Sequence, residues 1–326
     1  MRSRLMPGDA SEARAHLYFL HPMPLVTVIV NVYNGEATLA EAIDSVLAQS
    51  FSDWELLIWD DCSTDNSAGI VHRYTDARLC YIRSDIQVSL GQARQSAINL
   101  AQGEWIAFLD QDDLWLLDKL ERQLELARSK RHAALIYGRT VRFYPSGNER
   151  DYDQAHEYTP LPEGDIFNSL FVDSCYIAMS SAMFRRSAVA AIGGIPAEIS
   201  IIPDYYLYTA VARNFPAAAV QQVMCRYRMH SGNTSQSNAV AVHQEALRLM
   251  EMWRDDVAPD IIAKCKRHHS TQLALAEMRS AATFFKGLRR LVLEGSPGSQ
   301  LLRPFHFVFH LVRRNVVTPY WKKPAA

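Results

Sequence analysis

Short apolar runs alternate with stretches of helical periodicity through the first 140 or so residues of the chain. Val26-Thr27-Val28-Ile29-Val30 is β-branched and apolar, the composition of a central strand. Tyr33-Asn34-Gly35 breaks that run. Leu39, Ala42, Ile43, Val46 and Leu47 then recur at three- and four-residue spacing, which predicts a helix, with Thr38 and Glu41 placed for a capping box. Further strands are predicted over 54–59, 79–83 and 105–109. A helix over 91–101 lies between the last two, with Gly103 as its C-cap. A helix over 118–128 and a strand over 133–137 follow. Strands and helices alternating at this spacing predict βαβ units and a mostly parallel sheet flanked by helices.

Periodicity is weaker in the second half. Residues 144–164 are rich in Pro, Gly, Asp and Tyr and predict a long loop, of the kind that forms lids or binding segments. A strand over 180–184, a helix over 204–213 and a strand over 220–229 come next, and the pattern from Val240 onward is mainly helical. This divides the chain into a loose arm (1–23), a main domain (24–235, with halves at 24–117 and 118–235) and a helical extension (236–326).

Composition narrows the classes. At 326 residues, 48% hydrophobic and 21% charged, the chain has the balance of an ordinary globular protein with ample core. A net charge of −1 gives no general electrostatic argument for nucleic acid. Cys62, Cys80, Cys175, Cys225 and Cys265 are scattered with no CxxC pair, which fits neither a zinc site nor a disulfide framework and suits a reducing cytosol. No apolar stretch approaches the roughly 20 residues of a membrane span, and the first twenty residues lack a signal-peptide core. A cytoplasmic protein is expected. Residues 301–323 set Arg303, Arg313, Arg314, Lys322 and Lys323 among Phe305, Phe307, Phe309, Tyr320 and Trp321, with no acidic residue. Such a segment suits peripheral contact with an anionic membrane at the inner face of the cell. An ordinary C-terminal helix packing its aromatics on the domain is the alternative.

The chemistry concentrates where the predicted strand over 105–109 runs into Asp110-Gln111-Asp112-Asp113. Three carboxylates at a strand end repel one another in a low-dielectric setting unless a cation shares them. Their oxygens suit Mg2+ or Mn2+, ions that also bind substrate phosphates. Ligands of open α/β sheets sit beyond the carboxyl ends of strands, where this cluster falls. A solvated acidic turn capping the next helix is the alternative. No GxGxxG follows the first strand, which removes the main support for a dinucleotide-binding reading.

Six ordered segments together resemble the family 2 glycosyltransferases of the GT-A fold. They are Val28-Ile29-Val30-Asn31-Val32-Tyr33-Asn34-Gly35, Ala48-Gln49-Ser50-Phe51 and Asp60-Asp61-Cys62-Ser63-Thr64-Asp65-Asn66-Ser67, then Gly91-Gln92-Ala93-Arg94, the stretch over 103–113, and Tyr227-Arg228-Met229-His230. The resemblance covers roughly residues 25 to 235. It implies a sugar-nucleotide donor, a UDP- or dTDP-sugar, with Asn31, Tyr33 and Asp61 at the base and ribose. Physically, Asp61 can accept from a base N–H or a ribose hydroxyl and Tyr33 can stack on a ring; a turn-forming Asp and a half-buried Tyr are the plain alternatives. Arg94 takes the place of a basic residue near the phosphates, or is a solvated helix residue. Asp110-Gln111-Asp112 matches the DXD element, with Asp112 the direct metal ligand, Asp110 supporting it through the sugar or through contacts behind the ligand, and Asp113 left to cap the next helix.

The same resemblance implies an acceptor base at Asp204, although Pro203 stands where the family carries Glu; Asp204 could otherwise serve as a helix cap. His230 is implied as a second metal ligand and Arg228 as a phosphate partner, against structural roles for both. The processive Gln-x-x-Arg-Trp element is missing, which implies transfer of a single sugar to a glycan or polyprenyl-linked glycan acceptor, with inversion, in cell-surface polysaccharide synthesis. Two rival classes remain: a sugar-nucleotide-binding protein of the same fold that has lost catalysis, and a nucleotidyltransferase. Against the latter, no Gly-rich phosphate loop accompanies the first strand.

Overall fold

The computed structural model describes residues 23–144, 149–151, 160–172, 176–230, 232–233, 237–279 and 283–294. Residues 1–22 of the predicted arm over 1–23 and the basic-aromatic segment over 301–323 lie outside them, as does Cys175. In chain order the elements are β1 (Val26–Val32), α1 (Leu39–Leu47), β2 (Trp54–Asp60), α2 (Ser67–Val71), β3 (Leu79–Arg83), α3 (Leu90–Leu100), β4 (Trp105–Phe108) and β5 (Leu114–Trp115). They continue as α4 (Lys119–Ser129), β6 (Leu135–Phe143), β7 (Glu149–Asp151), α5 (Ser169–Val172), β8 (Met183–Arg185), α6 (Arg186–Ala191), α7 (Pro203–Ala212), β9 (Ala217–Arg228), α8 (Ala239–Met252), α9 (Pro259–Glu277) and α10 (Phe284–Glu294).

One mixed sheet of nine strands runs in the order β3-β2-β1-β4-β8-β6-β9-β5, with β7 paired to β6. The first four are parallel neighbours. Antiparallel pairing enters with β8, which lies between β4 and β6. The chain winds outward from β1 through β2 to β3, then returns to place β4 on the other side of β1. That reversal opens a crevice beyond the carboxyl ends of β1 and β4.

Both faces of the sheet are covered, so the valines of β1 and Ile29 are buried on both sides, with Thr27 and Asn31 its polar positions. Val26, Val28, Val30 and Val32 pack toward α1, α2 and α4. Ile29 points the other way, into a core built with α3, α7, α8 and α9. Helix α7 is buried nearly all round, with Tyr205, Tyr206, Leu207 and Tyr208 each 6% exposed or less. Among the described residues no helix is long and apolar enough to cross a membrane.

Several local expectations are corrected. Thr38 makes no side-chain cap; the capping box sits at Ser89 and Gln92, at the start of α3. Gly103 is not a left-handed C-cap, because α3 ends at an extended Ala101. Glycine is needed there for close approach: a Cβ would lie 2.4 Å from Thr27 N. Strand β6 continues past residue 137 to Phe143 because β9 pairs along its whole length. The polar residues Arg139, Thr140 and Arg142 hide that continuation in the sequence.

The two-residue strand β5 was not expected, and it positions the site. It pairs antiparallel with β9, Leu114 opposite Arg226 and Trp115 opposite Cys225. Continuing that register backward carries Asp112 alongside the end of β9, where Arg228 and His230 lie.

Candidate active site

A cleft of about 540 Å3 opens at the crevice. Asn31, Tyr33, Asp61, Arg94, Asp110, Asp112, Asp204 and His230 all line it; Arg228 does not.

The end of β1 and the turn after β2 form one wall. Tyr33 is 42% exposed and lines the cleft. Its backbone is held on both sides by one amide: Tyr33 N–H donates to Gln111 Oε1 at 3.0 Å, and Gln111 Nε2 donates to the Tyr33 carbonyl at 3.2 Å. Asn31 Nδ2 is buried without a protein partner. Asp60, fully buried, folds the turn by accepting from Ser63 N at 2.7 Å and Tyr81 Oη at 2.5 Å. Cys62 takes the left-handed conformation the turn requires, φ 65°. Asp61 projects into the cleft and accepts from Val88 N at 3.1 and 3.2 Å. Burial, with the charge of Asp60 beside it, pushes its carboxyl above the ordinary carboxylate range.

The acidic turn splits into three different roles. Asp110 accepts from Arg94 Nη2 at 2.7 Å, while Arg94 Nη1 is buried without a partner. Burial raises the Asp110 carboxyl against the pull of Arg94, and the charges of Asp112 and Asp204 push the same way. Asp112 meets His230, with Oδ2 and Nε2 2.7 Å apart. Gly232 N–H donates to His230 Nδ1 at 3.1 Å, so the neutral ring carries its proton on Nε2 and donates it to Asp112.

Asp113 is not the cap of the next helix. It is fully buried and accepts from Ser180 Oγ at 2.6 Å and from Arg228 N at 2.9 Å, stapling the turn to β9. Burial, with Asp112 and Asp110 close by, pushes its carboxyl well up. Arg228 is committed behind the turn. Its Nε donates to the Asp112 carbonyl at 2.7 Å and its Nη2 to Glu41 at 2.9 Å, and the guanidinium lies 4.6 Å from the centre of the Phe143 ring. The phosphate-partner expectation therefore meets a side chain already spent on bracing.

Across the cleft, Asp204 occupies the first turn of α7 after Pro203. Its Oδ1 accepts from Tyr205 N at 2.8 Å. Helix α7 has no side-chain cap from its own N-cap residue, Ile202. Three residues that the sequence did not single out hold this arrangement together. Gln111 pins Tyr33. Ser180 accepts from Asp110 N at 3.1 Å while donating to Asp113. Glu245 accepts from the backbone just before α7. Gln111 sits inside the acidic motif and was open to notice. Ser180 lies 70 residues from Asp110 and Glu245 lies 43 from Ile202, and no local pattern marks them.

A divalent ion fits this donor set with help. Among the described residues no group of three or more His, Cys, Asp or Glu converges on one point. Asp112 and His230 supply one carboxylate and one imidazole, and magnesium-type ions commonly take few protein ligands and complete their shell with substrate phosphates and water. Ligation through Nε2 would move the imidazole proton to Nδ1 and give up the exposed Gly232 contact. The unpartnered donors Asn31 Nδ2 and Arg94 Nη1 await acceptors of the kind a nucleotide offers.

Residues 27–193 match the family model described as Glycosyl transferase family 2. The succinoglycan biosynthesis protein ExoO of Rhizobium meliloti is 40% identical over 87% of this chain and 83% of its own length. WfgD of Escherichia coli, a UDP-Glc:alpha-D-GlcNAc-diphosphoundecaprenol beta-1,3-glucosyltransferase, is 39% identical over 35% of this chain; the match spans only 45% of that protein. Two solved structures share the fold. S. aureus TarS 1-349 in complex with UDP-GlcNAc aligns with a TM-score of 0.59 at 18% identity, over 89% of this chain and 81% of that one. The mannosyltransferase PcManGT from Pyrobaculum calidifontis, in complex with GDP-Man and Mn2+, aligns with a TM-score of 0.58 at 20% identity, over 92% and 86%.

Proposed function

The chain belongs to glycosyl transferase family 2 and has the GT-A fold, and from that premise we propose that it moves one sugar from a nucleoside diphosphate donor to a hydroxyl of a polyprenyl-linked glycan, with inversion, during assembly of a surface polysaccharide. The observation that carries the reading is the opposition of Asp204 to the Asp110–Asp112 turn across a single cleft.

In this reading the donor's base and ribose lie along the first wall. Tyr33 offers a ring to stack on, Asp61 accepts from N–H or O–H, and Asn31 Nδ2 gains the acceptor it lacks. Arg94 Nη1 reaches a donor oxygen while Nη2 keeps Asp110 oriented toward the sugar. Asp112 and His230 would hold Mg2+ or Mn2+, which when bound would offset the charge of the departing diphosphate. Asp204 takes the acceptor hydroxyl's proton as that oxygen bonds to the anomeric carbon, and the bond to phosphate breaks with its electron pair leaving on the nucleotide. One such displacement turns an α-linked donor into a β-linked product. A UDP-sugar is favoured as donor, as named for WfgD and as bound by TarS.

The test is a panel of UDP-glucose, UDP-N-acetylglucosamine, dTDP-glucose and GDP-mannose, each with Mn2+ and a polyprenyl diphosphate sugar. Free nucleoside diphosphate and glycosylated lipid are followed by mass spectrometry. Acceptor-dependent release from a uridine donor is expected. Nucleotide binding without turnover across the panel, in a protein that shifts its melting temperature on UDP, would leave a binding protein in place of an enzyme.

A further inference from the structure

The loop before Asp204 is held by a residue from the far end of the chain. Glu245, on α8, is fully buried, and its carboxylate accepts from three consecutive backbone N–H groups. Ser200 donates at 2.9 and 3.0 Å, Ile201 at 2.7 Å and Ile202 at 2.8 Å. These three residues line the cleft, Ile202 is the N-cap position of α7, and Pro203 and Asp204 follow directly. Val242, one helical turn before Glu245 on the same face, also lines the cleft.

The opposite side of the loop is fixed to the donor half. Gly91 N–H donates to the Ser200 carbonyl at 3.3 Å, and Gln95 Oε1 accepts from Ile195 N at 2.6 Å. The fit is tight: a Cβ on Gly91 would lie 1.8 Å from the Ile199 carbonyl oxygen. Helix α3 thus stitches the loop from one side and α8 from the other. Neither Ile202 nor Pro203 can cap α7 with a side chain, and Pro203 carries no N–H. Besides Asp204 in the first turn, a second negative group at this helix start is supplied from 42 residues downstream of Pro203.

We propose that Glu245 is a positioning residue for Asp204: by gathering the three N–H groups it sets where α7 begins and so where the Asp204 carboxylate stands against the donor. The C-terminal helices are then part of the catalytic apparatus, although the family match ends at residue 193. This rests on the reading of Asp204 as the base.

A double-mutant cycle in the full-length protein tests it, with transfer rate, acceptor KM and UDP affinity in Mn2+ measured for E245Q, D204N and the pair. Glutamine keeps the volume but turns an N–H2 group on a site that needs acceptors. E245Q is expected to lower kcat roughly tenfold or more while UDP affinity stays within about twofold, because the donor wall is untouched. In the D204N background the same change is expected to cost less than about twofold, since a residue acting through Asp204 has nothing left to place. E245D, which retains the charge and draws it back by one methylene, should show the same loss of effect and serves if E245Q does not fold. An E245Q enzyme with wild-type kcat, or one whose loss multiplies undiminished with that of D204N, overturns the positioning role alone. Full activity in D204N overturns the base reading and with it the residue Glu245 would position.

Discussion

Arg94 gives one guanidinium nitrogen, Nη2, to Asp110 at 2.7 Å and keeps the other, Nη1, buried and unpartnered beside the same cleft. One residue is therefore set to orient the carboxylate and to receive a ligand oxygen at once. R94M removes both. UDP affinity in Mn2+ should fall about tenfold or more by calorimetry. Stability to urea should fall by about 1–3 kcal/mol, less than for a wholly buried pair because Asp110 is 35% exposed. R94K, a point charge without the planar fork, should lie between. An R94M protein that binds UDP as tightly as wild type would remove Arg94 from the donor site.

Metal dependence should divide along the turn. EDTA is expected to abolish transfer and Mn2+ to restore it. D112N should lower turnover on the order of 100-fold and lose the Mn2+-dependent part of the UDP thermal shift. H230A should lose less, roughly 10-fold in Mn2+ requirement, because it leaves the anionic donor of the proposed site, Asp112, in place. Unchanged Mn2+ titrations in both variants would show that the ion sits elsewhere.

Asp113, the third acid, should behave as a structural group. D113A leaves Arg228 N–H and Ser180 Oγ without the partner they have now, costing about 1–3 kcal/mol in denaturant unfolding. D113N keeps an acceptor for one of them and should cost less. Both proteins should respond to Mn2+ as wild type does. A D113N variant that lost its Mn2+ response while staying folded would instead make Asp113 a ligand.

Acid sensitivity should come from the C-terminal helices. His243 Nδ1 lies 3.1 Å from His269 Nδ1. Burial, with the positive charges of His268 and Arg279, lowers His243 to about 4. Burial, with His243 and His268, lowers His269 to about 3. An unfolded histidine titrates near 6.5. Between these values the unfolded chain binds more protons than the folded one, so stability falls as pH drops from about 6.5 toward 4. The loss should be on the order of a few kcal/mol across that window, and H269F should flatten it. Melting curves at half-unit pH steps read the slope; equal slopes in both proteins would place the acid response in other groups.

The donor half of the fold was legible in the sequence because each of its signals is local. The run over 26–30, the spacing from Leu39 to Leu47 and the junction at Asp110 each occupy a few adjacent residues. Eight of the expected site residues consequently meet in one cleft. What escaped is set by pairing between distant segments. Strand β5 is two residues long and exists only because β9 lies opposite it. Arg228 and His230 are two residues apart, yet the strand end turns one behind the acidic turn and the other into the cleft. Position along the chain could not separate them. Asp113 looked like a cap because Asp so often is one; its partners are 67 and 115 residues away.

The amide of Gln111 has a further implication for breadth of use. Donating to the carbonyl and accepting from the N–H of one residue, it ties the middle of the Asp110-Gln111-Asp112 turn to the backbone that carries the Tyr33 ring. Asparagine and glutamine carry a donor nitrogen and an acceptor oxygen side by side on one amide carbon. A lineage that exchanges this position for serine or glutamate frees the aromatic plate to tilt. If Tyr33 stacks on the donor's base as proposed, tolerance for a wider choice of nucleobase would then come at the expense of grip on any one.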